Sequence, residues 1–279
     1  MMPGTLTLVG TPIGNLGDFS PRARRALEEA DFIAAEDTRV TLRLLNYFGI
    51  KKPLVSYFEH NKYQSGDKIL QRILAGENCA LVTDAGMPAV SDPGEELVAL
   101  CAREGVAVTA VPGPSAVVTA VALSALPAGR FTFEGFLSTS GRSRAEHLEE
   151  LKGERRTMVF YEAPHKIAKT LADLAAALGA GREVSLCREL TKMHEEVIRT
   201  TLGGALAMYA ETPPRGEFVL VIDGAPEDAA EQYTPEAALA LVNGHRAAGK
   251  SLKEACRLAA EVTGYKKNEL YDMAVNGAG

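Results

Sequence analysis

The chain has 279 residues, 46% of them hydrophobic and 24% charged, which is enough to bury one large or two medium cores and excludes a disordered or fibrous protein. Its formal net charge is −6, from 30 Lys and Arg against 36 Asp and Glu, so overall charge argues for no nucleic-acid partner; an acidic protein can still carry a local basic face. No apolar run approaches bilayer length and no charged-then-apolar leader opens the chain, which predicts a soluble cytoplasmic protein with no membrane partner. Cys79, Cys101, Cys187 and Cys256 form no CxxC pair, so buried reduced thiols are expected rather than a disulfide or a metal site.

Short apolar runs alternate with amphipathic stretches from the start to about Asp223, the pattern of an α/β chain. Strands are predicted near residues 5–9, 32–35, 54–57, 79–83 and 106–111, with helices between them in the manner of a parallel sheet. Ser20 followed by Pro21 opens the first helix, and Gly49 closes the second as a left-handed cap. Further strands are expected near residues 131–136, 157–161, 184–187, 197–201 and 218–223, with the polar segment 138–144 as an exposed loop. Beyond Asp223 the composition shifts, through residues 224–231, to short helices opened by Thr234-Pro235-Glu236, by the capping box Ser251 to Glu254 and by Lys266-Lys267-Asn268-Glu269. These boundaries predict two α/β domains meeting near Pro112 to Pro114, residues 1–113 and 114–225, and a small helical domain, 226–279.

Chemistry concentrates at the ends of the predicted strands, where open α/β sheets keep their ligands. Gly10-Thr11-Pro12-Ile13-Gly14-Asn15-Leu16-Gly17-Asp18 is rich in glycine but is not GxGxxG, which disfavours a pyrophosphate on a helix N-terminus and leaves a plain turn as the alternative. Residues 82–94 and 111–116, rich in Gly and Pro, bring bare backbone close to something else and predict two walls of a small-molecule pocket. Glu36-Asp37-Thr38-Arg39, His60-Asn61 and Glu162-Ala163-Pro164-His165-Lys166 supply acids, bases and fixed positive charge. Capped helix starts with solvated charges explain the same residues equally simply. Arg188, Glu189 and Lys192 are placed to face the same cleft, and the Pro213-to-Glu217 turn carries Gly216.

The segments Gly10 to Asp18, Glu36 to Arg39, Asp84 to Pro88, Ser91 to Gly94, Pro112 to Ala116 and Tyr161 to Lys166 resemble, in order, those of the bacterial small-subunit ribosomal RNA cytidine 2′-O-methyltransferase I family, in the tetrapyrrole-methylase superfamily. The resemblance runs from about Thr5 to Asp223, and the tail resembles that family's helix-turn-helix-like appendage. It implies a class III methyltransferase: two α/β domains, S-adenosylmethionine in the cleft between them, no metal, and a homodimer. The implied reaction is methylation of a cytidine ribose 2′-hydroxyl in the decoding centre of 16S rRNA, on the small ribosomal subunit. A tetrapyrrole or other small-molecule methyltransferase and a non-catalytic ribosome-assembly factor are the alternatives.

The resemblance assigns the methyl donor to Thr11, Pro12, Asp84, Ala85, Gly86, Met87, Pro88, Ser91, Ser115, Ala116, Tyr161, Leu190 and Gly216. Glu36, Asp37, Glu162 and His165 are candidates for proton removal, with Arg39, His60 and Lys166 positioning ribose or phosphate. Candidate phosphate contacts are Arg142, Arg144, Arg155, Arg156, Lys250, Lys253, Lys266 and Lys267, set against Glu254, Glu261, Glu269 and Asp272 in the tail.

Overall fold

The structure is a computed structural model that describes residues 2–209, 214–226, 234–263 and 265–276. Pro213 and residues 227–231 of the composition shift lie outside the described residues, as does the side chain of Glu261. The chain divides into two compact units, Met1–Asp223 and Gly224–Gly279.

The first unit begins with five parallel strands, β1 (Thr5–Val9), β2 (Phe32–Ala35), β3 (Leu54–Ser56), β4 (Cys79–Val82) and β5 (Ala107–Val111), in the order β3-β2-β4-β1-β5. Helices cover both faces, which is why β2 and β4 are buried along their whole length. Helices α1 (Pro21–Glu29) and α2 (Thr38–Phe48) pack Ala23, Leu27 and Leu45 on one face. On the other face, α3 (Lys62–Leu74) and α4 (Glu95–Arg103) bury Ile69, Ile73, Leu97 and Cys101. Each fully buried Leu or Ile contributes roughly 1.5–3 kcal/mol, so these two layers hold the sheet.

The expected caps are present. Ser20 accepts the Ala23 amide at 3.0 Å, and Gly49 adopts φ 71°, ψ 22°, the left-handed conformation that only glycine takes without strain.

The second sheet runs β6-β7-β10-β8-β9 and is mixed, a departure from the α/β alternation of the first half. Only β6 (Phe131–Phe136) and β7 (Thr157–Glu162) pair in parallel; β8 (Glu183–Arg188), β9 (Glu196–Thr201) and β10 (Phe218–Ile222) pair antiparallel. Helix α5 (Ala116–Leu123) packs Val117, Ala120 and Val121 on one face. Helices α6 (Gly141–Leu151), α7 (Ile167–Leu178) and α8 (Leu202–Met208) cover the other.

Residues 139–143 are exposed as expected, but the loop is shorter than expected: α6 begins at Gly141, and Arg144 in its first turn is buried. All four cysteines are buried and unpaired, and burial pushes the thiols of Cys101 and Cys187 up to about 11. The second unit holds α9 (Pro235–Ala247), α10 (Leu252–Thr263) and α11 (Lys267–Asn276) around Ala238, Val242, Cys256, Ala259 and Leu270. Ser251 accepts the Glu254 amide at 3.3 Å, one half of the expected capping box. Among the described residues no helix is long and apolar enough to cross a membrane.

Candidate active site

Adjacent strands β4, β1 and β5 send their C-terminal loops to the same place, the usual ligand crevice of an open sheet. Thr11 and Gly86 exchange backbone hydrogen bonds at 2.9 and 3.1 Å, and the Gly10 amide donates to Val111 O at 3.1 Å. Gly10 and Gly113 then meet backbone to backbone: a Cβ on Gly10 would lie 2.7 Å from the Gly113 Cα. No side chain fits between these loops.

Across from them lie elements of the second sheet. Gly14 sits against Thr191 and Lys192, and Ser91 Oγ against Gly135 at the bulge in β6. Ile13, Ala116, Tyr161 and Leu190 share one apolar cluster with Val117 and Val219. The rings of Phe133 and Phe136 pack on Tyr161 at 5.0 and 5.7 Å.

Of the five non-glycine residues with positive φ among the described residues, four lie in the facing loops: Ala89 (67°), Ser91 (59°), Glu189 (52°) and Thr191 (66°). Such strain persists only where the surroundings over-determine the backbone, and it clusters at functional sites. Lys192 anchors the second of these loops through Glu189 at 2.8 Å and Glu217 at 2.9 Å, and Gly216 lets the Glu189 side chain lie flat on the backbone. A cavity of about 460 Å³ opens among Ile13, Asp18, Ser20, Pro112, Pro114 and Thr191. Bare backbone at Gly10 and Gly113 with apolar Ala116, Tyr161 and Leu190 suits the adenine and methionine parts of a methyl donor.

A carboxylate cluster closes the ends of β2 and β4. The Thr83 hydroxyl donates to Glu36 Oε2 at 2.5 Å, and the Asp37 amide donates to Asp84 Oδ1 at 3.1 Å. Asp92 joins them; burial, and then the facing charges of Glu36 and Asp84, push its carboxyl up to about 6. Burial and Glu36 also raise Asp84. Asp37 goes the other way: Arg39 grips it through Nε and Nη2, at 2.6 Å for the closest pair, and holds it down at about 2. It also caps α2 through the Arg39 amide at 2.8 Å. Asp37 is therefore a capping and pairing residue, and a poor proton acceptor.

Glu162 is not part of this cluster. It is 4% exposed, with Oε1 accepting the Ala163 amide at 2.8 Å and Oε2 accepting the Thr170 hydroxyl at 2.5 Å. The same hydroxyl accepts from Arg144 Nη2 at 3.0 Å, and Arg144 Nε binds Asp173 at 2.7 Å. These contacts bear on two sequence expectations: both Glu162 oxygens are engaged inside a buried network, and the Arg144 guanidinium is held by Asp173, the Ser138 carbonyl and Thr170. His60, His165 and Lys166 are exposed in the loops after β3 and β7. Arg142 and Arg156 are paired with Glu146 and Glu154 at the surface, and Lys250, Lys253 and Lys266 are exposed in the second unit.

Asp92 went unassigned in the sequence although it stands in the Ser91-Asp92-Pro93-Gly94 run. What marks it is its proximity to Glu36, which is remote in sequence.

Comparison with known proteins agrees with this architecture. The family model described as Tetrapyrrole (Corrin/Porphyrin) Methylases matches residues 5–206, and that of the RsmI C-terminal HTH domain matches residues 245–277. Proteins named ribosomal RNA small subunit methyltransferase I are similar along nearly their whole length. That of Synechocystis sp. is 44% identical over 98% of both chains. That of Halalkalibacterium halodurans is 46% identical over 97% of this chain and 94% of its own. Among solved structures, diphthine synthase superposes with TM-score 0.63 at 16% identity, over 79% of this chain and 90% of that one. Uroporphyrin-III C-methyltransferase from Thermus thermophilus, complexed with S-adenosylhomocysteine, gives 0.56 at 19%, over 78% and 97%. The chain therefore belongs to the S-adenosylmethionine-dependent tetrapyrrole methylase family, in the group of the ribosomal RNA small subunit methyltransferases I.

Proposed function

We propose that this protein methylates the ribose 2′-hydroxyl of a cytidine in the decoding centre of 16S rRNA, on small-subunit particles, in the cytoplasm and as a homodimer. The observation that carries the chemistry is the carboxylate cluster of Glu36, Asp84 and Asp92 standing beside the three stitched loops. S-adenosylmethionine supplies a sulfonium methyl whose departure needs no acid. The remaining tasks are alignment and removal of one proton as the ribose oxygen–carbon bond forms and the sulfur–carbon bond breaks.

The donor residues are Thr11, Pro12, the 84–88 loop, Ser91, Ser115, Ala116, Tyr161, Leu190 and Gly216. Asp92 receives the proton, because a carboxyl near 6 is both ionised at neutral pH and more basic than a free aspartate. Glu36 holds Thr83 and keeps Asp92 basic by its charge. Arg39, His60, His165 and Lys166 face the RNA backbone, with Lys250, Lys253, Lys266 and Lys267 of the tail as further phosphate contacts.

The test is transfer of labelled methyl to small subunits from cells lacking this protein, with the modified nucleotide mapped. Label on a porphyrinoid alone, or none on RNA, defeats the reading.

Single-turnover methylation is expected to rise with pH through about 6, and Asp92→Asn to remove that limb and lower the rate about 10²–10⁴-fold. Stability moves the other way. The folded carboxyl, near 6, lies above its ordinary 3.8, so its contribution is complete below 3.8 and is lost as pH rises through about 6. At pH 8 Asp92→Asn is expected to stabilise the protein by about 1 kcal/mol after allowing for solvent screening, read by denaturant unfolding.

A further inference from the structure

A second cavity, of about 370 Å³, lies against α2 and is not used by the donor assignment beyond its edge. Thr11, Pro12, Thr83 and Asp84 form that edge; the far walls are Leu16, Val40, Leu44 and Tyr47, with Arg43 among the lining residues. Pro12 lines this cavity and the next residue, Ile13, lines the larger one, so the two are neighbours across a single loop.

The wall chemistry is unusual for the solvent side of a helix. α2 already buries Leu45 in the core beneath the sheet, yet Tyr47 on the cavity wall is 67% exposed. The Tyr47 ring is held edge-on by Phe48 at 4.9 Å, and Phe48 in turn packs on Phe19 at 4.8 Å. An exposed aromatic ring held this way is a ready platform for a flat ligand at low entropic cost. Arg43 is exposed and, with Arg22 and Arg25 of the neighbouring α1, makes no ion pair among the described residues. Asp84 puts a carboxylate on the inner edge, a fit for an exocyclic amine such as cytosine N4.

We infer that this cavity seats the unstacked acceptor nucleobase, with its face on Tyr47 and its flanking phosphates on Arg43. A ribose inside an RNA helix cannot bring its 2′-oxygen to within about 3–3.5 Å of a donor buried among loops, so the nucleotide must leave the stack and needs a pocket to enter. The inference rests on the RNA-methyltransferase reading and gives that reading its acceptor subsite.

The experiment measures two affinities separately in the full chain: that for S-adenosylmethionine by calorimetry, and that for a cytidine-containing single-stranded RNA by anisotropy. Methyl transfer to small subunits is followed alongside. Tyr47→Ala is expected to weaken RNA binding and raise KM for small subunits about 10- to 100-fold, with donor affinity unchanged. Tyr47→Phe should keep wild-type values, since the ring does the stacking. Arg43→Ala should lower the slope of log affinity against log salt by about one.

RNA affinity unmoved by Tyr47→Ala would overturn the inference. So would a parallel loss of donor affinity, which would make the cavity part of the donor site. Failure of the wild-type protein to methylate small subunits while Tyr47→Ala still weakens RNA binding would instead count against the functional reading alone.

Discussion

Alanine at position 10 is expected to cost about 2–3 kcal/mol of stability and to abolish measurable S-adenosylmethionine binding. The added Cβ would sit 2.7 Å from the Gly113 Cα and 2.8 Å from its amide nitrogen, and neither is a flexible side chain that could swing away. The loops after β1 and β5 would have to part, against the Gly10-to-Val111 hydrogen bond at 3.1 Å and the paired bonds of Thr11 with Gly86. Overpacking of this kind typically costs 1–3 kcal/mol, and backbone-on-backbone contact puts Gly10 at the upper end. For a unit of this size that is a drop of about 5–10 °C in Tm. Because the same loops wall the proposed donor pocket, calorimetric binding at a temperature where the variant is still folded separates the two effects. Wild-type donor affinity in a folded Gly10→Ala protein would remove these loops from the site.

The second large effect is expected at Arg144. Its guanidinium serves Asp173, the Ser138 carbonyl at 3.0 Å and the Thr170 hydroxyl, with 11% of its side chain exposed. Arg144→Ala strands the Asp173 carboxylate and leaves the Ser138 carbonyl without its partner. Breaking a buried pair from one side costs about 3–5 kcal/mol, and since Asp173 is 32% exposed the lower figure applies, about 3 kcal/mol. Arg144→Lys recovers little, because an ammonium cannot span three acceptors as a planar fork does. RNA affinity of the folded variant should keep the wild-type salt slope, whereas loss of a phosphate contact would lower it by about one. The unfolding midpoint and the salt titration together decide between a brace and an RNA contact.

The brace also explains why Glu162 is where it is. Arg144 donates to the Thr170 hydroxyl, which donates to Glu162, which accepts the Ala163 amide. The relay ties the turn after β7, which carries His165 and Lys166, to α6 and α7. Glu162 thus holds the loop that carries His165 and Lys166.

Much of the fold was legible in the sequence because its signals are local. Alternating apolar runs marked all ten strands to within a residue or two, Ser20-Pro21 marked a helix start, and Gly49 a helix end, since caps and periodicity depend on neighbours a few positions away. The glycine and proline loops after β1, β4 and β5 were equally visible as places of close backbone approach. What only the tertiary structure decided depends on residues far apart in the chain. Strand direction in the second sheet follows from which strands become neighbours, a choice the pattern within each strand does not record. Arg144 and Glu162 read as surface charges until their partners, 29 and 8 residues away, bury them. Asp92 reads as a loop residue until the chain sets it against Glu36 and Asp84. Charge, burial and pairing set a side chain's chemistry, and the fold alone brings the pairing partners together.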